Sequence, residues 1–100
     1  MLSIGLAAAY RFQGFQVSTF KKGPDYIDAM WLSAASNQPC WNLDFYTMTE
    51  KEIKDSFTKN STRAEVTIVE GNKGLYDGVD TEGSDSNAAL TKLLDLPVIL

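Results

Sequence analysis

The sequence predicts an α/β sandwich with a parallel sheet between layers of helices, and three observations carry that expectation. Segments of strand composition alternate with segments of helical composition, the pattern that yields βαβ units with right-handed crossovers. Residues 64–69 contain Val66, Ile68 and Val69, a short apolar β-branched run suited to a buried parallel strand. Acidic residues then cluster just beyond the strands, Asp25 with Asp28 and Glu70 with Asp77, on the edge where open α/β sheets bind ligands.

Each element follows from its residues. Residues 2–13 are Ala-rich, with apolar side chains at 2, 6, 9 and 12 and a Gly14 stop, so they predict a helix, though one without a visible N-cap. Residues 15–20 alternate around Val17 and Thr19 and predict a short strand ending just before Lys21. Gly23-Pro24 forbids a continuing regular element and forces a turn at that strand's carboxyl end. A short helix is expected over residues 29–35 and a loop containing Pro39 over 37–44. Thr49 opens the next helix with Glu52 as capping-box partner, places Ile53 and Phe57 on one face, and finishes near Asn60. Glu70-Gly71 ends the strand at 64–69, and the Gly-, Asp- and Ser-rich residues 71–86 predict a loop. A helix over 87–94 and the start of a buried strand over 97–100 complete the series. An uncapped helix at one end and a strand without a following loop at the other give the expectation that the chain is a fragment.

Composition narrows the function classes. Of 100 residues, 44% are hydrophobic, enough for a globular core. Nine basic against thirteen acidic side chains leave a net charge of -4 with no basic run, which argues against nucleic acid as a partner. Cys40 is the single cysteine and histidine is absent, excluding an intrachain disulfide and a structural zinc site, so any bound metal should be hard and oxygen-held. The apolar start lacks a basic n-region and is far shorter than a bilayer span, so no membrane partner is expected and the reading is cytoplasmic.

The candidate site residues are few. Glu70, following an apolar strand and preceding Gly71, stands where phosphate-transferring α/β domains commonly hold Mg²⁺; a solvent-facing strand-end acid is the plainer alternative. Asp25 and Asp28 lie three apart across the Gly-Pro turn and could share one hard cation, although turns are rich in Asp for ordinary hydrogen-bonding reasons. Lys21 could meet a phosphate or simply be solvated. The glycines from Gly71 to Gly78 could let the backbone approach a ligand, but no Gly-Lys-Ser/Thr closes a Walker A loop. Cys40 has no histidine to activate it and is read as a packed or loop residue.

The segments Phe20-Lys21-Lys22-Gly23-Pro24-Asp25-Tyr26-Ile27-Asp28, Asn42-Leu43-Asp44, Val69-Glu70-Gly71, Gly74-Leu75-Tyr76-Asp77-Gly78, Gly83-Ser84, Lys92-Leu93-Leu94 and Pro97-Val98-Ile99-Leu100 together resemble the cobyrinate a,c-diamide synthase family. They occur in family order over nearly the whole chain. The resemblance implies a three-layer, parallel-sheet, P-loop NTPase-like fold, of which the first strand and Walker A loop are missing. It also implies ATP and Mg²⁺ as cofactors, a tetrapyrrole substrate, and ammonia from glutamine hydrolysed in a glutaminase domain that this chain lacks. By motif match Asp25, Asp28 and Glu70 would be the metal-site acids, with Asp28 also catalytic. Asp77 would lie beside the carboxylate being activated, and Lys21 and Gly71 would serve the nucleotide. Residues 1–100 would then be a fragment of the N-terminal ATP-binding domain, inactive alone, with a homodimer among its open assembly states. Ala29-Met30-Trp31 replaces the family's usual proline and histidine, and Asn72-Lys73 an apolar pair, which resembles a sub-branch thought to amidate sirohaem. A non-enzymatic interaction module of the same superfamily is the alternative from another class.

Overall fold

A computed structural model describes residues 2–71 and 87–97. Its sheet contains β1 (Val17–Lys22), β2 (Cys40–Leu43) and β3 (Val66–Glu70), hydrogen-bonded in the order β2-β1-β3 and parallel throughout. Helices α1 (Leu2–Phe12) and α2 (Tyr26–Ser36) pack on each other and on β1. Helix α3 (Glu50–Ser61) packs with α4 (Asn87–Leu94) and with β1 and β2. The expected α/β class with a parallel sheet is therefore present. Connection β1-α2-β2 runs one way along the sheet and β2-α3-β3 runs back past β1, so crossovers of one hand require helices on opposite faces.

Alternation along β1 divides the core. Val17, Thr19 and Lys21 share one face, while Ser18, Phe20 and Lys22 share the other. Phe20 joins Leu43, Ile53 and Leu90 in a buried cluster, and its ring meets Phe57 at 5.1 Å. Helix α3 reaches this cluster because Thr49 caps it in a reciprocal box: Glu52 N–H donates to Thr49 Oγ1 at 3.1 Å, and Thr49 N–H donates to Glu52 Oε1 at 2.9 Å. The cap and the Ile53/Phe57 face match the sequence expectation.

Four expectations change. Strand β1 continues through Lys21 and Lys22 instead of stopping before Lys21, because both lysines are buried and paired in register with β2. Helix α2 begins at Tyr26, not near residue 29, because Asp25 is its N-cap and accepts from Asp28 N–H at 3.0 Å. The expected loop over 37–44 contains β2, a four-residue edge strand that begins directly after Pro39. Strand β3 is half-buried along its length instead of buried, since among the described residues only β1 pairs with it. The expected loop beyond Gly71, with Asp77 and Gly78, and the strand over 97–100 lie outside the described residues apart from Gly71 and Pro97.

Candidate functional site

The parallel register builds a row of polar side chains across the carboxyl end of the sheet. Lys21 of β1 pairs with Asn42 of β2 on one side and Glu70 of β3 on the other. Residues in register share a face, so the three stand side by side beneath the start of α2. Gly23 then turns the chain with φ 84, a conformation open to a residue without Cβ, and its N–H donates to Leu43 O at 2.8 Å. The turn delivers Asp25 as N-cap and Asp28 as third residue of α2, one helical turn later and on the same side.

Lys21 lies at the centre of this arrangement with only 5% of its surface exposed. Its Nζ donates to Gly71 O at 3.1 Å and lies 3.3 Å from Asp28 Oδ2 and 3.5 Å from Glu70 Oε2. The hydrogen bond goes to the Gly71 carbonyl and the two carboxylates stand within ion-pair range, so protein acceptors already surround the group expected to face phosphates. One cation faces two carboxylates, with Asp25 close enough for Lys21 to act on it, so the local charge is negative. The Asp28 backbone N–H, and more weakly the Lys21 ammonium, hold the Asp25 carboxyl below its ordinary value of 3.8.

Of the predicted acids, Asp28 and Glu70 meet Lys21 at one rim of the sheet, whereas the Asp25 carboxylate caps α2 and feels Lys21 only through its charge. Glu70 Oε2 is buried and, although within ion-pair range of Lys21, makes no hydrogen bond. Among the described residues no three Asp, Glu or Cys side chains form a cluster able to enclose a metal. A magnesium–nucleotide complex needs no such cage: Mg²⁺ is generally held by one or two carboxylates plus phosphate oxygens and water. Asp28 and the under-bonded Glu70 fit that donor set.

Gly71 is constrained by packing. A Cβ there would come within 2.9 Å of Asn87 Cγ at the start of α4, so any larger residue would have to displace the Asn87 side chain. Asp77 lies outside the described residues. Cys40 sits in β2 beside Thr19, and burial pushes its thiol above 9.0, which keeps it protonated and unsuited to nucleophilic attack at neutral pH. Sequence reasoning missed Asn42 as a site residue; its Nδ2 donates to Gly23 O at 2.7 Å and Asp25 O at 3.2 Å. The available signal was its place within Asn42-Leu43-Asp44, but reading residues 37–44 as a loop hid the register with Lys21. A cavity of about 430 Å³ opens at the opposite, amino end of the sheet, lined by residues including Gln16, Trp41, Asn60 and Arg63, and it includes none of the predicted residues. Among the described residues no helix is long and apolar enough to cross a membrane.

A parallel sheet with Lys21 and Glu70 at the carboxyl ends of its strands and Asp28 in the helix that follows defines an α/β protein with a charged sheet edge. No family model matches the chain, and no solved structure matches it. Its curated relatives are more specific. The chain is 50% identical over 99 residues to cobyrinate a,c-diamide synthase of Magnetococcus marinus, covering 99% of this chain and 21% of that protein. It is 45% identical over 100 residues to the enzyme of that name from Syntrophotalea carbinolica, covering 99% and 22%. With the enzyme of that name from Caldanaerobacter subterraneus subsp. tengcongensis it shares 40% over 99 residues, covering 99% and 22%. The chain carries cobyrinate a,c-diamide synthase family sequence along nearly its whole length and spans about a fifth of the length of these relatives.

Proposed function

We propose that this chain supplies the magnesium–phosphate edge of a P-loop-type ATP-binding domain in an enzyme that amidates the a- and c-carboxylates of a cobyrinate-type tetrapyrrole. The reaction would pass from carboxylate and ATP to an acyl phosphate and ADP, and then by attack of ammonia to the amide and phosphate. Ammonia would come from glutamine, hydrolysed in a glutaminase domain. The single observation that carries this reading is the convergence of Asp28 and Glu70 on Lys21 at the carboxyl edge, in a chain half identical to an enzyme of that name.

The physical problem is charge. An anionic carboxylate must approach a polyanionic γ-phosphate, so cations must neutralise both without blocking the approach. Magnesium, held by Asp28 and Glu70 with Asp25 beside them, would supply that charge. Lys21 stands within ion-pair range of both acids, and its ammonium would turn toward phosphate by releasing the uncharged Gly71 O. Asp77, by resemblance, would lie beside the carboxylate being activated.

The relatives' names favour cobyrinate over sirohaem as substrate. The test is a full-length enzyme carrying this sequence, incubated with ATP, glutamine and either tetrapyrrole, with acid-to-amide conversion followed by mass spectrometry. Conversion of cobyrinate, dependent on both co-substrates, is expected. Conversion of neither tetrapyrrole would overturn the reading, and conversion of sirohaem alone would move it to the sulfur-metabolism branch.

A further inference from the structure

We infer that Asn42 is a positioning residue for the proposed site: its side-chain amide clamps the β1–α2 turn from the neighbouring strand, and so sets where Asp25 and Asp28 stand relative to Lys21. The inference deepens the proposed function and rests on it for its catalytic meaning, whereas the clamp itself is a matter of geometry. Asn42 is the β2 register partner of Lys21. Its Nδ2 reaches across to the turn and donates to Gly23 O at 2.7 Å and Asp25 O at 3.2 Å. Those carbonyls flank Pro24, which has no N–H to offer and leaves the turn without a backbone donor at its centre.

The consequence runs through Asp25. Its carbonyl is held by Asn42 while its carboxylate accepts from Asp28 N–H, so one residue is fixed at both its backbone and its side chain. Asp28, the third residue of α2, then lies 3.3 Å from Lys21 Nζ. The clamp also differs from sheet pairing: the backbone bond Gly23 N–H to Leu43 O ties the same turn to β2 without using the Asn42 side chain. A short polar side chain with a donor is therefore required at this register position. An isosteric apolar side chain would leave two carbonyls unserved, and a carboxylate would repel them.

Hydrogen exchange in a full-length enzyme carrying this sequence separates the clamp from simple strand stability. In Asn42→Leu the Asp28 amide should exchange roughly fivefold to tenfold faster, the range expected for one lost hydrogen bond, while the amides of Gly23 and of β1 keep their protection. Asn42→Asp should accelerate Asp28 further. Unchanged Asp28 exchange in both variants would overturn the inference. If Asn42→Leu loosens the entire sheet, Asn42→Ser, which is smaller and keeps one donor, decides: Asp28 exchange rising alone supports the clamp, and Asp28 rising in step with β1 makes Asn42 a sheet-stability residue and overturns it. In the full-length enzyme the same Asn42→Leu should raise the magnesium requirement more than the tetrapyrrole KM. An enzyme without ATP-dependent amidation would remove the proposed function while leaving the exchange result to stand or fall by itself.

Discussion

Replacing Lys21 by methionine keeps the length and most of the apolar stem of the side chain but removes the cation between Asp28 and Glu70. Taking one partner from a buried ion pair costs about 3–5 kcal/mol, chiefly because a charge is left buried and unpaired. Two features reduce that figure here. The Asp28 side chain is 28% exposed and can regain water, against 15% for Glu70. The separations of 3.3 and 3.5 Å also exceed the roughly 2.7–2.9 Å of a strong charge-assisted bond. The expected loss for Lys21→Met is therefore about 2–3 kcal/mol, or a fall in Tm of roughly 10–20 °C for a chain of this size. Thermal unfolding followed by circular dichroism measures it. Adding Asp28→Asn removes one of the stranded charges, so the double variant should be less destabilised than the sum of the two single changes. A fall of less than about 3 °C for Lys21→Met, or strict additivity in the double variant, would refute the picture of a buried lysine binding two acids together.

Two further outcomes follow from the same geometry. Gly71→Ala should cost about 1–3 kcal/mol in urea unfolding, because the new methyl meets the Asn87 side chain inside van der Waals distance, and Asn87→Ala should recover part of the loss. Asp25 has a depressed pKa in the folded state, so its cap contributes above 3.8 and that contribution is lost as pH falls through the lower folded value. Asp25→Asn keeps a capping side chain without a titrating group, and its Tm should therefore fall less than that of the native chain in this acid range; identical acid profiles would contradict the assigned cause.

How much of this was legible in the sequence depended on whether a signal was local. The α3 cap was readable because Thr49 and Glu52 carry it within four residues, and the helical face because Ile53 and Phe57 are one turn apart. Asp25, Asp28 and Glu70 were readable as strand-end acids because Gly23-Pro24 and Gly71 mark where the strands stop. The end of β1 was not, because two consecutive lysines look solvated until the acids across the sheet are in place to receive Lys21. Strand β2 was hidden for a similar reason: it is only four residues long, directly follows Pro39, contains Asn42, and is held by pairing with β1. Asn42 inherited that obscurity, since its role exists only in register with Lys21. The half-burial of β3 contradicts its composition, which suits a strand paired on both sides, and among the described residues one side alone is paired.

The proposed function requires Glu70 and Asp28 to hold jointly the cation that accompanies the nucleotide. It is tested most directly by the magnesium concentration giving half-maximal ATP-dependent amidation in a full-length enzyme carrying this sequence, native against Glu70→Gln. Loss of one of two carboxylate ligands should raise that concentration by about tenfold or more, with turnover at least partly restored at saturating magnesium. An unchanged magnesium requirement in Glu70→Gln would contradict the account.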